Sequence, residues 1–258
     1  MIKKINRFYR ILIKYKALIQ ENIIGYKYFV FPARPKAMIR NAKSYLHRFD
    51  GNQVFYDEKA ILDFHREIYN ANHRILAVGV GAGLSLIYNC KFKRKNPFLA
   101  IEASRDQITI TKMNAELNNI NRNSYKIIEG YAGSSKGVYG HFDQHINNQV
   151  NVNDFEVDVL ELDCEGAEIE ILENLKIQPE YIIVEMHPTI IKINYNSLMD
   201  MMALKNYQLV SSKNVIGQEI TNDELASYFD SNEVLRKLKN NKSWGEILPV
   251  LLFELKSN

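Results

Sequence analysis

The chain has little cysteine and lacks a long hydrophobic run. Its two cysteines, Cys90 and Cys164, do not have the paired spacing of a disulfide framework or a zinc site, which fits a reducing compartment. No apolar run reaches the roughly 18 residues of a membrane span. Lys14, Lys16 and Glu21 interrupt the region where the apolar part of a signal peptide would lie. We therefore expect a cytoplasmic protein.

Acidic residues are scarce at the beginning of the chain. The net charge is +3 over 258 residues, but positions 1–48 contain 12 lysines and arginines against one acidic residue, Glu21. This segment therefore carries +11, which leaves −8 for the remainder. The split indicates a basic N-terminal extension, residues 1–72, attached to a mildly acidic catalytic domain, residues 73–258.

The extension is predicted to be mainly helical. Residues 1–20 form an amphipathic pattern, which fits a helix on an anionic membrane surface at the cytoplasmic face. The same pattern also fits a helix that packs on its own domain, and we favour this second interpretation. Salt-dependent flotation with anionic liposomes distinguishes the two. Residues 22–56 are expected to be irregular, and Asp57 is expected to cap a helix that reaches Asn70.

The most informative stretch is an apolar run that ends in three alternating glycines. Ile75–Val80 reads as a strand buried on both faces, and Gly79, Gly81 and Gly83 come where it turns into a helix. Glu102 ends the next apolar run, 23 residues after Gly79, close to the spacing at which an acidic residue holds a nucleoside ribose. The third glycine is one place too early for the dinucleotide pattern, and G-x-G-x-G is instead the loop of S-adenosylmethionine-dependent methyltransferases. The alternative is a glycine-rich turn that binds nothing.

Strands and helices alternate from residue 74 onward, which predicts an α/β domain with a mostly parallel, doubly wound sheet. The segment 133–153 is polar and reads as a hairpin or loop. The predicted strands cover residues 75–80, 98–102, 125–129, 157–163, 181–185, 207–210 and 247–255. The predicted helices cover residues 83–89, 105–119, 167–175, 195–205 and 221–239.

Acidic residues and a histidine follow two neighbouring strands of this sheet. Asp163 ends the fourth strand and Glu165 follows it, and Glu185 ends the fifth strand and His187 follows it. Because ligands bind at the carboxyl ends of parallel strands, these side chains should converge beside the glycines. His187 is our candidate base, oriented by Glu165 or Glu185. The alternatives are a helix cap with a surface histidine, or carboxylates that chelate a cation; we assign no metal ligand.

The chain resembles the FkbM family of methyltransferases over residues 74–210. The resemblance is carried by Gly79–Gly83, Ile101–Glu102, Asn114–Asn119, Asp158–Glu168 and Glu185–His187. It implies the Rossmann-like methyltransferase fold, S-adenosylmethionine as methyl donor, and O-methylation of sugar or polyketide hydroxyls.

By position, the resemblance also implies roles for individual residues. Gly79, Gly81 and Gly83 would meet the methionine part of the cofactor, Glu102 its ribose, Tyr131 and Ala132 its adenine, and Asp163 would close the pocket.

Two positions depart from the family's usual residues. Ala77 stands where aspartate is usual, and Glu161 stands where lysine is usual. We expect the change at Ala77 to remove or replace a cofactor contact.

The sequence leaves three functions open. The first is an O-methyltransferase that acts on a sugar, a glycan or a related small molecule. The second is a non-catalytic adaptor that works through its basic extension, which the departure at Ala77 would allow. The third is a nucleic-acid methyltransferase; the chain lacks a recognisable nucleic-acid-binding motif, so we consider nucleic acid an unlikely partner.

Overall fold

The computed structural model describes residues 28–30, 47–50, 53–54, 58–92, 94–133, 148–191, 193–240 and 244–256. The amphipathic pattern of residues 1–20, the capping position Asp57 and most of the segment 133–153 lie outside the described residues. Among the residues that the structure describes, no helix is long and apolar enough to cross a membrane.

A seven-stranded sheet forms the centre of the domain, in the order β6-β5-β4-β7-β8-β10-β9. β4 to β8 run parallel, and β10 runs antiparallel to both of its neighbours. Its strands are β4 (Ile75–Val78), β5 (Phe98–Glu102), β6 (Tyr125–Glu129), β7 (Val159–Leu162), β8 (Tyr181–Glu185), β9 (Tyr207–Asn214) and β10 (Pro249–Leu255).

The described helices pack on both faces of this sheet. Apolar side chains of α1 to α3 form one core cluster with the strands, and those of α4 to α6 form another on the opposite face. The helices are α1 (Lys59–Glu67), α2 (Leu84–Lys91), α3 (Arg105–Leu117), α4 (Glu168–Glu173), α5 (Tyr195–Leu204), α6 (Asn222–Tyr228), α7 (Ser231–Lys239) and α8 (Trp244–Ile247).

The predicted doubly wound, mostly parallel sheet is therefore confirmed. All side chains of β4 and β7 are buried, as expected for central strands covered by helices on both faces. The carboxyl ends of these two strands meet at one edge of the sheet, next to the glycines that follow Val78. This edge carries the candidate site.

The N-terminal extension contributes a small sheet that the sequence did not predict. β1 (Tyr28–Val30), β2 (His47–Asp50) and β3 (Gln53–Val54) pair antiparallel within the segment expected to be irregular. The helix expected after Asp57 begins at Lys59, and its N-cap residue, Glu58, has a left-handed φ of 73° without a side-chain cap.

The prediction of one helix over residues 221–239 is wrong. The capping box of Thr221 and Glu224 is present, but that helix ends at Tyr228. Asp230 then begins a second helix by accepting hydrogen bonds from the backbone N–H groups of Asn232 and Glu233. A second N-cap residue, Asp230, thus divides the segment.

Candidate functional site

The three glycines of the loop after β4 all have left-handed backbone conformations, with φ of 80°, 48° and 85° at Gly79, Gly81 and Gly83. At Gly79 a β-carbon would lie 1.7 Å from the carbonyl oxygen of Asp163, so glycine is required for β4 and β7 to come together here. At Gly83 a β-carbon would lie 2.6 Å from Cγ2 of Thr111 on α3. Both positions are therefore explained by packing within the protein.

Gly81 differs from the other two glycines because it faces open space. A β-carbon built there meets nothing within 4 Å, and the residue lines a pocket at the carboxyl edge of the sheet. Gly79 also lines this pocket, whereas Gly83 does not and instead caps α2. The expected contact of all three glycines with a ligand is thus reduced to Gly79 and Gly81.

Glu102 is buried beside the loop, with 7% of its surface exposed. One carboxylate oxygen accepts hydrogen bonds from the N–H groups of Val80 (3.0 Å) and Gly81 (3.1 Å), and the other accepts from Ser104 (2.9 Å). Burial raises the pKa of Glu102, and these backbone hydrogen bonds oppose that shift. The carboxylate therefore shapes the loop, and backbone N–H groups already engage its acceptor sites.

The pocket lies between the glycine loop and the ends of β5, β6 and β7. It includes six of the seven residues expected to bind the cofactor, and it adds residues that the sequence analysis missed. The expected ones are Gly79, Gly81, Glu102, Tyr131, Ala132 and Asp163. Glu165, expected to orient His187, also lines the pocket. The additions are Val78, Ile101, Ala103, Gln107, Gly130 and Cys164.

Four carboxylates surround His187 next to this pocket, the three that the strand-end argument predicts and Glu168 in addition. His187 Nε2 lies 3.5 Å from Glu185, 3.6 Å from Glu165 and 3.9 Å from Asp163. These distances are ion-pair contacts that exceed ordinary hydrogen-bond lengths. His187 and Glu185 are buried, with 6% and 7% exposed, and they lie outside the lining of the pocket.

The residue that orients His187 is Glu168, in place of the expected Glu165 or Glu185. Its carboxylate contacts His187 Nδ1 at 3.1 Å and accepts hydrogen bonds from the N–H groups of Cys164 and Gly166. Glu168 is fully buried. The sequence contained a sign of this role, because Glu168 is the third acidic residue of the segment 163–168 and begins α4.

The charge of this group of residues is strongly negative. Burial lowers the pKa of His187, but the hydrogen bond with Glu168 and the charges of Glu185, Glu168 and Glu165 raise it to about 9. Burial also raises the pKa of Asp163 well above its usual range, and nearby carboxylates, first Glu185, add to that shift. At neutral pH the imidazole therefore carries a proton, which partly balances the carboxylates.

A cation is the kind of group that this arrangement can hold. Asp163, Glu185 and His187 each offer one atom, and these atoms lie within 4.8 Å of one another, which would also suit a divalent ion. In the structure the protonated imidazole of His187 supplies positive charge among these carboxylates. A positively charged ligand in the adjoining pocket would be attracted on the same electrostatic grounds.

The two departures from the FkbM pattern are neighbours in the sheet. Ala77 on β4 and Glu161 on β7 are register partners, and both lie in the face that packs on α1 and α2. Glu161 contacts His65 Nε2 at 2.5 Å and accepts a hydrogen bond from Ser85 Oγ at 2.7 Å. Ala77 is fully buried and does not line the pocket. The expectation that Ala77 removes a cofactor contact therefore finds no support in the geometry.

Comparison with known proteins gives similarity at the level of structure. No family model and no curated protein matches the chain. Ribosomal protein L11 methylase from Lactobacillus delbrueckii subsp. bulgaricus is 13% identical, with 76% of this chain and 77% of that chain covered and a TM-score of 0.45. TYW2 from M. jannaschii, in complex with AdoMet, is 14% identical, with 82% and 83% covered and a TM-score of 0.44. The fibrillarin/Nop5p complex is 12% identical, with 78% and 81% covered and a TM-score of 0.47.

At these identities the likeness concerns the fold alone. The sheet order and the helices on both faces are those of a Rossmann-like methyltransferase fold, as the sequence predicts. Function has to be argued from the site.

Proposed function

We propose that the protein is an S-adenosylmethionine-dependent, FkbM-like methyltransferase that acts on a hydroxyl of a sugar, a glycan or a related small molecule. The observation that carries this proposal is the pocket between Gly81, which faces open space, and the buried Glu102. Such a pocket at the carboxyl edge of a parallel sheet is the usual place for a nucleoside-containing ligand.

The residues of the pocket fit this cofactor from end to end. Gly79 and Gly81 lie beside Asp163, where the methionine part would rest. Glu102 would accept hydrogen bonds from the ribose hydroxyls in exchange for some of its present bonds to backbone N–H groups. Tyr131 and Ala132 line the part where we place the adenine. When bound, the cofactor supplies a methyl group on a positively charged sulfur, and the carboxylates of Asp163 and Glu165 favour that charge.

The charge near the pocket also limits the kind of methyl acceptor that can bind. Glu165 and Glu185 lie beside Asp163 at the edge of the pocket, and their negative charges would repel a phosphate group. This favours a neutral polyhydroxylated acceptor over nucleic acid, which a protein usually binds through lysine and arginine contacts to phosphates. The adaptor hypothesis loses its main support, because Ala77 is a core position away from the pocket.

Removal of the hydroxyl proton is assigned to the residues around His187. A group with a pKa of about 9 is mostly protonated at pH 7, so His187 can act as base only in its minor neutral form. Glu165, whose side chain is 52% exposed and lines the pocket, is a second candidate for the proton acceptor. The pH dependence of turnover separates these two candidates.

The experiment measures methyl transfer from labelled cofactor to a pool of sugar acceptors between pH 6 and 10. If His187 is the base, turnover should rise with pH up to about 9 and then level off. His187→Ala should lower turnover by about 10²–10⁴ with little change in cofactor binding.

Glu165→Gln is the matched variant in the same assay. A flat pH profile together with loss of turnover in Glu165→Gln would assign the base to Glu165. Absence of transfer to any hydroxyl acceptor by wild-type protein that binds the cofactor would contradict O-methylation itself.

A further inference from the structure

The first turn of α3 has the sequence of a capping box that is only half formed. Ser104 and Gln107 occupy the N-cap and N3 positions, and Ser104 Oγ accepts a hydrogen bond from the backbone N–H of Gln107 at 3.3 Å. In a complete capping box the N3 side chain would accept a hydrogen bond from the N-cap backbone N–H in return.

Glu102 prevents the second half of the capping box. The backbone N–H of Ser104 already donates to the Glu102 carboxylate at 2.9 Å. The carboxamide of Gln107 is therefore displaced from its usual partner by the same residue that holds the glycine loop.

The displaced side chain is left with a buried, unsatisfied acceptor. Gln107 is 5% exposed, and its Oε1 has no hydrogen-bond partner in the described part of the chain. The residue lines the pocket together with Glu102 and Ala103. Leaving a buried acceptor unpaired destabilises a protein by about 1–3 kcal/mol, so such a group at the wall of a pocket points to a donor on the ligand.

We propose that Gln107 binds the nucleoside of the cofactor, with its Oε1 accepting a hydrogen bond from a ribose hydroxyl or from the adenine amino group. This assignment rests on the proposed function and adds a recognition residue beside Glu102. Two neighbouring acceptors, one charged and one neutral, then face the same part of the ligand, which favours a nucleoside that presents several donors.

The test uses Gln107→Leu, a change of similar size that removes the polar group. Affinity for S-adenosylhomocysteine, measured by calorimetry, should fall about tenfold, because a hydrogen bond to the ligand is lost. The melting temperature of the ligand-free variant should be equal to or above that of the wild type, because the unsatisfied acceptor is gone. Gln208→Leu, the same change on the exposed edge strand β9, should leave the affinity unchanged.

A second variant and a series of nucleosides identify the hydrogen bond that Gln107 makes with the ligand. Gln107→Glu keeps an acceptor oxygen and should keep more affinity than Gln107→Leu. Among adenosine, 2′-deoxyadenosine, 3′-deoxyadenosine and inosine, the wild type should discriminate against the one that lacks the bonded donor, and Gln107→Leu should lose that discrimination.

The possible outcomes distinguish a failure of the proposed function from a failure of the role proposed for Gln107. A wild type that binds neither S-adenosylmethionine nor S-adenosylhomocysteine contradicts the proposed function. A wild type that binds, with equal affinity in Gln107→Leu, overturns the role of Gln107 alone. A loss of both affinity and ligand-free stability in Gln107→Leu also overturns it, because Gln107 would then be a structural residue.

Discussion

Two clusters of histidine and carboxylate lie at the two sides of strand β7, and they differ in how many carboxylates share one histidine. The closed cluster consists of Glu161, His65 and Ser85, with contacts of 2.5 and 2.7 Å in a fully buried setting. The open cluster consists of His187 with Asp163, Glu165, Glu168 and Glu185, and three of its contacts are 3.5–3.9 Å long.

This difference indicates which of the two clusters has a structural role. In the closed cluster one carboxylate meets one imidazole and one hydroxyl, and the group joins helices α1 and α2 to the sheet. In the open cluster four carboxylates share one imidazole, so like charges are held together at an energetic cost. Such an arrangement at the edge of a pocket is typical of a functional site.

Breaking the closed cluster should have the largest effect. Glu161→Leu leaves His65 Nε2 and Ser85 Oγ buried without their acceptor, and each buried polar group left unsatisfied destabilises a protein by about 1–3 kcal/mol. Urea denaturation of the ligand-free protein measures the free energy of unfolding. Affinity for the cofactor should change little, because Glu161 does not line the pocket.

The matched control is the double variant His65→Leu with Glu161→Leu. Replacing both partners by apolar residues should recover much of the lost stability. A loss below about 1 kcal/mol in Glu161→Leu alone would show that the closed cluster is not a structural element.

The pH dependence of the free energy of unfolding tests the charge balance of the open cluster. The pKa of His187 is raised from 6.5 to about 9 in the folded protein. Its contribution to stability is therefore fully present below pH 6.5 and is lost as the pH rises through 9. We expect the wild type to lose about 1–3 kcal/mol over this range relative to His187→Gln. Parallel stability profiles of the two proteins would contradict this charge balance.

The sequence predicted the domain's strand pattern because the central strands are short, mainly apolar runs between glycines or polar turns, with Glu161 as the one charged residue inside β7. The ends of β5, β6 and β8 agree with the prediction to the residue. The division between α6 and α7 was missed, because an apolar helical pattern continues through Asp230 and only its capping contacts reveal the break.

The sequence predicted where the candidate site lies in the fold, but it predicted only some of the contacts between the residues of the site. Strand-end placement brought Asp163, Glu165, Glu185 and His187 together correctly. The orienting role of Glu168 depends on a three-dimensional contact with His187 that the spacing between them, across β8, does not reveal. Likewise, the pairing of Ala77 with Glu161 requires the register of β4 on β7.

The measurement that tests the central claim most directly is calorimetric titration of the wild-type protein with S-adenosylmethionine and S-adenosylhomocysteine. We predict binding of both, weakened by about 1–3 kcal/mol in Glu102→Ala, because this change removes both the ribose acceptor and the hydrogen bonds that hold the glycine loop. Glu129→Ala, at the end of the next strand, should bind like the wild type. No heat with either ligand at millimolar concentration, or binding of NADH instead, would contradict the account.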